Sequence, residues 1–276
     1  KTALENLKSN GYALYNKVNR PQTYLSDIAF LGPNKNEKTA LYNEYFTQTM
    51  DYSGNPVDME TIYQSRDGQG NIWNIDGIGA QDAYKTGTCP TQELVDAYET
   101  IDGNPILDLE NPYLDEQHVN PNYNPANTMY DPQDPYKNRD PRFYASIYYN
   151  GSKRKCSWGF SESPEAFENY PAEMGNRTRI IATYVGEPET GIHASVRKAT
   201  RTGYFQRKFL HPNSGGDNHV GGANWKMFRL GEVILNFAEA AAEAGQLVEA
   251  AEAVNEIRSR AGMPNLPTGL TQDKLI

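Results

Sequence analysis

With 276 residues, of which 38% are hydrophobic, the chain is long enough for one or two domains with a substantial core, yet much of it must be loop and wetted surface. The formal net charge of −9 opposes binding to nucleic acid or to an anionic membrane surface. No apolar run approaches the roughly 20 residues that a membrane-spanning helix needs.

In chain order, residues 2–9 predict a short amphipathic helix with Ala3, Leu4 and Leu7 on one side and Asn10-Gly11 as its stop. Thr39–Gln48 is rich in aromatics and predicts a strand, with helix as the alternative. Asp51–Thr88 predicts a long polar loop, in which Asp67-Gly68, Gly70-Asn71 and Asp76-Gly77 turn signals surround Trp73. Pro90–Tyr98 predicts a helix capped by Thr91, with Glu93 near the positive end of its dipole and Asp102-Gly103 closing the unit. Residues 111–139 hold five prolines among several Asn and Asp and predict an irregular segment pinned at the surface. Asp140-Pro141-Arg142 predicts a capped turn, Phe143–Tyr149 a strand, and Asn150-Gly151 a type I′ hairpin. A further strand is expected over Tyr204–Phe209, after which the loop His211–Gly222 leads on.

From Trp225 to Leu266 the pattern is helix, glycine stop, helix, glycine stop. Leu230, Val233, Ile234, Phe237, Ala238 and Ala241 recur at helical spacing up to Gly245, and Leu247, Val248, Ala251, Val254 and Ile257 recur up to Gly262. The alanine-rich stripe lets the two helices stack closely, as in a tetratricopeptide-type pair, with Trp225 expected in its core. Thr271–Ile276 reads as an N-cap and first turn. Both ends of the chain therefore read as cuts within a longer protein.

Chemistry-bearing patterns are sparse. Cys89 and Cys156 lack metal-ligand spacing; two free thiols are the expectation, with one disulfide as the alternative. His211 and His219 flank Asp217, too little to expect a metal, and Asp131, Asp134 and Asp140 lack a calcium-loop pattern and read as solvated or capping. There is no Gly-x-Ser-x-Gly and no phosphate loop, so nothing nominates a nucleophile or a cofactor. Nineteen tyrosines, nine phenylalanines and three tryptophans among many Asn, Asp and Gly suit carbohydrate, whose C–H faces stack on aromatic rings. Any single tyrosine is nonetheless expected to pack with its hydroxyl toward water.

Four segments together resemble the SusD/RagB family. Pro90-Thr91-Gln92-Glu93-Leu94-Val95-Asp96-Ala97-Tyr98 with Asp102-Gly103 is similar to its "P-[ST]-x-E-L-V-D-A-Y…D-G" segment. Asp140-Pro141-Arg142-Phe143 with Tyr149-Asn150-Gly151 resembles "D-P-R-F…Y-N-G", and Thr202-Gly203-Tyr204 with Arg207-Lys208-Phe209 resembles "T-G-Y…R-K-F". The pair from Arg229-Leu230 to Arg258-Ser259-Arg260-Ala261-Gly262 looks like the family's "R-L-x-E-V…I-R-x-R-A-G" helices. Gly231 departs from a good helix former at a cost of about 1 kcal/mol relative to alanine, which points to close packing there.

The resemblance implies a mainly α, tetratricopeptide-like α-α superhelix with long irregular loops and a few short strands. It implies a single SusD-like domain over 1–276, incomplete at both ends. Residues 1–10 would close an earlier repeat, 11–224 would form the loop-rich ligand-binding portion, and 225–276 the C-terminal repeat. It further implies a surface-exposed outer-membrane lipoprotein that binds glycan, or sometimes peptide, without catalysis. Its partner would be a SusC-type TonB-dependent transporter, and its only membrane attachment an N-terminal lipid anchor outside this sequence. Because the family has no fixed ligand motif, the expected site rests on residue chemistry. Trp73 leads, with Asn71, Asn74 and Asp76 as hydroxyl partners, followed by Trp158, then Tyr63 and Arg66. A helical-repeat adaptor and a glycoside hydrolase are the alternatives.

Overall fold

A computed structural model describes residues 1–16, 37–47, 58–65, 89–156, 177–187, 191–193, 199–209 and 225–275. Its elements are α1 (Thr2–Ser9), α2 (Glu37–Thr47), β1 (Thr61–Ser65), α3 (Gln92–Asp96), α4 (Pro141–Ser146), β2 (Ile147–Tyr148), β3 (Lys153–Cys156), β4 (Arg177–Ile180), β5 (Phe205–Gln206), β6 (Trp225–Arg229), α5 (Leu230–Glu243), α6 (Leu247–Ala261) and α7 (Gln272–Leu275). The strands form three separate antiparallel pairs, β1 with β6, β2 with β5 and β3 with β4.

The α5–α6 pair is the frame. Leu230, Ile234 and Ala238 of α5 are buried with Ala253 and Ile257 of α6 and Leu4 of α1. A second cluster, Ala241, Ala242 and Ala250, closes the far end of the pair. Such small side chains allow axes to approach to the close end of the usual 8–10 Å helix separation. Both helices stop as expected. Gly245 and Gly262 adopt φ of +73° and +78°. Gln246 N–H then donates to Ala241 O at 2.8 Å and Met263 N–H to Arg258 O at 2.9 Å, the six-to-one bond of a Schellman stop. Helix α1 ends the same way at Gly11, with Tyr12 N–H on Leu7 O at 3.1 Å. These elements make the chain a tetratricopeptide-like superhelix with short strands, as expected.

Four local expectations are corrected. Residues 37–47 form helix α2, the alternative to the expected strand. Thr39, Ala40, Leu41, Asn43, Glu44, Tyr45, Phe46 and Thr47 are all buried, so the helix is enclosed nearly all round and carries no one-sided stripe to read. Residues 143–146 are helix, not strand. Asp140 accepts a hydrogen bond from Arg142 N–H at 2.7 Å, Pro141 sits at the first turn, and this cap carries α4 through to Ser146. The Asn150-Gly151 turn has its positive φ on Gly151 alone, +85°, which is a type II pattern and not type I′. The strands flanking it also pair elsewhere, β2 with β5 and β3 with β4. Finally, the predicted loop 51–88 contains β1, whose partner β6 is far away in sequence.

The segment 111–139 is irregular as expected, and side-chain oxygens fold it and the residues just before it. Asp108 Oδ1 accepts from Glu110 N–H and Asn111 N–H at 2.9 and 2.8 Å, and Asp115 Oδ1 accepts from Gln117 N–H at 3.1 Å. Asp131 does the same for Gln133 N–H, at 2.8 Å. Behind it lies an aromatic core of Val95, Phe143, Tyr144, Ile147, Tyr149 and Tyr204. Tyrosine hydroxyls in this region are tied internally instead of facing water. Tyr144 donates to Tyr136 O at 2.7 Å, and Tyr204 to Gln92 Oε1 at 2.9 Å.

Enlarging Ala250, which is fully buried between α5 and α6, should wedge the pair apart. Ala250→Leu is expected to lower stability by about 1–3 kcal/mol in urea titration, with the far-ultraviolet helical signal retained before the transition.

Candidate functional site

The site is built on a buried carboxylate, Glu60, whose relative exposure is 0%. Its Oε1 accepts from Arg229 Nη1 at 3.1 Å, and its Oε2 accepts from Arg260 Nη1 at 2.8 Å and from Tyr15 N–H at 2.9 Å. Leu230 N–H, at the start of α5, donates to Glu60 O at 2.8 Å. One residue thus joins the segment after α1, the start of β1, the β6–α5 junction and the end of α6. The close packing expected at Gly231 is found, since a Cβ there would meet Arg229 Nη1 at 2.5 Å and Glu60 Oε1 at 2.8 Å. A second buried pair lies alongside. Asp58 Oδ2 accepts from Lys226 Nζ at 3.0 Å, and Asp58 Oδ1 receives Glu60 N–H and Thr61 N–H, both at 3.0 Å. Tyr45 packs under this pair and bonds Thr61 Oγ1 at 3.1 Å; burial, reinforced by the Glu60 charge, pushes its hydroxyl pKa well up, so it stays neutral.

These anchors hold the β1–β6 ribbon, and its outer face is aromatic. Tyr63 is 56% exposed, Phe228 55%, Met227 47% and Trp225 44%. Strict alternation would turn one of Met227 and Phe228 inward. The register shifts between Thr61 and Tyr63 and again between Tyr63 and Gln64, and these bulges re-aim both side chains outward. Tyr63 faces Phe228 across the ribbon with ring centroids 6.3 Å apart. At the other end Trp225 stacks on Phe209 at 5.1 Å and 29°, and Phe209 meets buried Phe46 edge-on at 5.4 Å. An aromatic column therefore runs from core to surface and fixes the indole. Flat rings so placed offer stacking faces for a ligand with apolar patches.

Of the residues nominated from sequence, Tyr63 is on this face. Arg66, Asn71, Trp73, Asn74, Asp76 and Trp158 lie outside the described residues, as do His211, Asp217 and His219. Trp225 is a correction. It stands in strand β6, exposed, and not in the core of the helix pair. The helical period begins at Leu230, so residues 225–229 never belonged to the stripe; that break in period was the available signal for the ribbon. Phe228 and Met227 were missed for the same reason. Cys89 is a free, half-buried thiol that accepts from Arg201 N–H at 3.5 Å, and the Cys156 side chain lies outside the described residues. Among the described residues no group of three or more His, Cys, Asp or Glu could hold a metal ion.

A helical-repeat frame with a short, aromatic-faced ribbon and long connections has the SusD-like fold. The chain belongs to the SusD/RagB family, whose model, described as SusD family, matches residues 41–276. Among solved structures it is similar to a SusD-like protein from Bacteroides fragilis, with 24% identity and a TM-score of 0.60, covering 99% of this chain and 45% of that one. It is also similar to a SusD-like carbohydrate-binding protein from the same organism, at 22% identity and a TM-score of 0.56, over 99% of this chain and 42% of the other. At these identities the likeness is one of fold, and the chain spans less than half the length of either protein. No curated protein matches it.

Removing the charge at Glu60 leaves two guanidinium groups short of their partner. Glu60→Gln should cost about 3–5 kcal/mol of stability by chemical denaturation, the range for breaking a buried ion pair on one side. A loss below 1 kcal/mol, on the scale of an exposed pair, would show that the carboxylate does not organise the junction.

Proposed function

We propose that this chain is part of a surface-exposed outer-membrane lipoprotein that binds glycan without catalysis and delivers it to a SusC-type TonB-dependent transporter. The observation that carries the reading is the exposed aromatic face of the β1–β6 ribbon, with Trp225 backed by Phe209 and Tyr63 set beside Phe228. Family membership supports it, and so does the likeness to a Bacteroides fragilis protein described as SusD-like and carbohydrate binding. The ribbon rings stack on sugar C–H faces. Segment 66–88 leaves β1 directly after Ser65, which is opposite Trp225. On this reading Arg66, Asn71, Trp73, Asn74 and Asp76, in the segment that follows Ser65, supply amides and a carboxylate for sugar hydroxyls. Trp158 is a further contact on this reading. The anchor and the transporter partner follow from the family alone.

Affinity electrophoresis and calorimetry against a polysaccharide panel test this. Tyr63→Ala and Trp225→Ala are each expected to weaken binding about five- to tenfold, equivalent to about 1–1.4 kcal/mol, in variants that retain the folded far-ultraviolet signal. Trp73→Ala should weaken it at least as much. Undiminished affinity in both ribbon variants would move the site elsewhere, reducing-end release on long incubation would favour a hydrolase, and binding only to peptide would change the ligand class.

A further inference from the structure

We infer that the ribbon takes an uncharged saccharide and turns away glycans that carry uronate or sulfate groups. This rests on the glycan-binding reading above and adds the charge class of the ligand. Recognition of a carboxylate or sulfate calls for a cation facing the ligand, ideally a free guanidinium fork. Strand β6 has two cations, and both face inward. Lys226 Nζ lies 3.0 Å from Asp58 Oδ2 and 3.3 Å from Thr61 Oγ1, 4.6 Å from the Tyr45 ring centroid, with its side chain buried. Arg229 Nη1 is on Glu60 at 3.1 Å. Drawing Lys226 outward would take the ammonium from the buried Asp58 carboxylate, and drawing Arg229 outward would leave the buried Glu60 one guanidinium where it now has two. Lys208, beside the Trp225–Phe209 stack, has its ammonium over the buried Phe46 ring at 4.2 Å.

What remains outward on the ribbon is Tyr63, Trp225, Met227 and Phe228, none of which carries a formal charge. The chain as a whole carries a net charge of −9, a field that opposes a polyanion. A neutral polysaccharide is indifferent to that field and gains from the rings. A polyanion meets repulsion with no compensating pair among the described residues of the ribbon.

The test runs the chain on affinity gels cast with neutral polysaccharides (starch, mannan, xylan, galactan) and with polygalacturonate, alginate and chondroitin sulfate, each at low and high salt. The expected result is retardation by at least one neutral polymer and by none of the anionic ones, with the neutral affinity changing by less than about twofold between salts. Met227→Arg, which sets an unpaired cation on the outer face, should gain anionic binding that high salt abolishes. Retardation of the natural chain by an anionic polymer, equal to or above that by the neutral ones, overturns the inference and leaves glycan binding intact. Failure of Met227→Arg to gain anionic binding overturns it as well, because the face would then not be where ligand lies. Binding to neither set removes the glycan-binding reading itself, a distinguishable result.

Discussion

The fold hangs on one buried carboxylate. Glu60 is unreachable by water, and two guanidinium groups and a backbone N–H compensate its charge. Removal of a carboxylate from water costs several kcal/mol, so such a residue persists only where the surrounding geometry holds its partners. That geometry is supplied by distant parts of the chain. Arg229 comes from the β6–α5 junction and Arg260 from the last turn of α6, while Tyr15 comes from the stretch after α1. The ribbon can stand at the end of the helix pair because both are fastened to the same atom pair.

Other recognisable arginines do comparable work elsewhere. Arg139 is buried and donates to Pro135 O at 2.8 Å, to Val95 O and to Tyr98 O, so it satisfies carbonyls at the end of α3, and its guanidinium lies 4.7 Å from the Phe143 ring centroid. Arg207 donates from Nη1 to Tyr144 O at 3.1 Å and from its backbone to Ser146 O at 2.8 Å, at the end of α4. Arg258 bridges α6 to Glu99 at 2.8 Å and to Pro264 O at 2.7 Å. Gly103 fits against that bridge, where a Cβ would meet Pro264 at 2.7 Å. The segments that identify the family are therefore clasps between elements, which is why they point to the fold so clearly and to the ligand so little.

Legibility in the sequence follows from the same division. The α5–α6 pair, its glycine stops and the caps at Thr91 and Asp140 were readable, because each depends on residues within one or two turns. Helix α2 was not, since its aromatic and β-branched residues favour a strand locally and only burial on all sides makes it a helix. Strand β1 was hidden in a polar stretch because its pairing with β6 is decided by Asp58, Glu60 and their distant cations. At the ribbon, Tyr63 was nominated, but for its neighbours in the loop. Trp225 reads as core from sequence only because it directly precedes the helical stripe, which begins at Leu230.

The aromatic column behind Trp225 has a thermodynamic consequence for binding. A ring free to rotate must be frozen when a ligand stacks on it, at about 0.5–1.5 kcal/mol per immobilised side chain. Trp225 is already clamped by Phe209, itself set edge-on against Phe46, and Tyr63 is already paired with Phe228. That ordering is completed when the chain folds. A ligand that stacked on these rings would meet a surface already ordered, and more of its contact energy would survive as affinity.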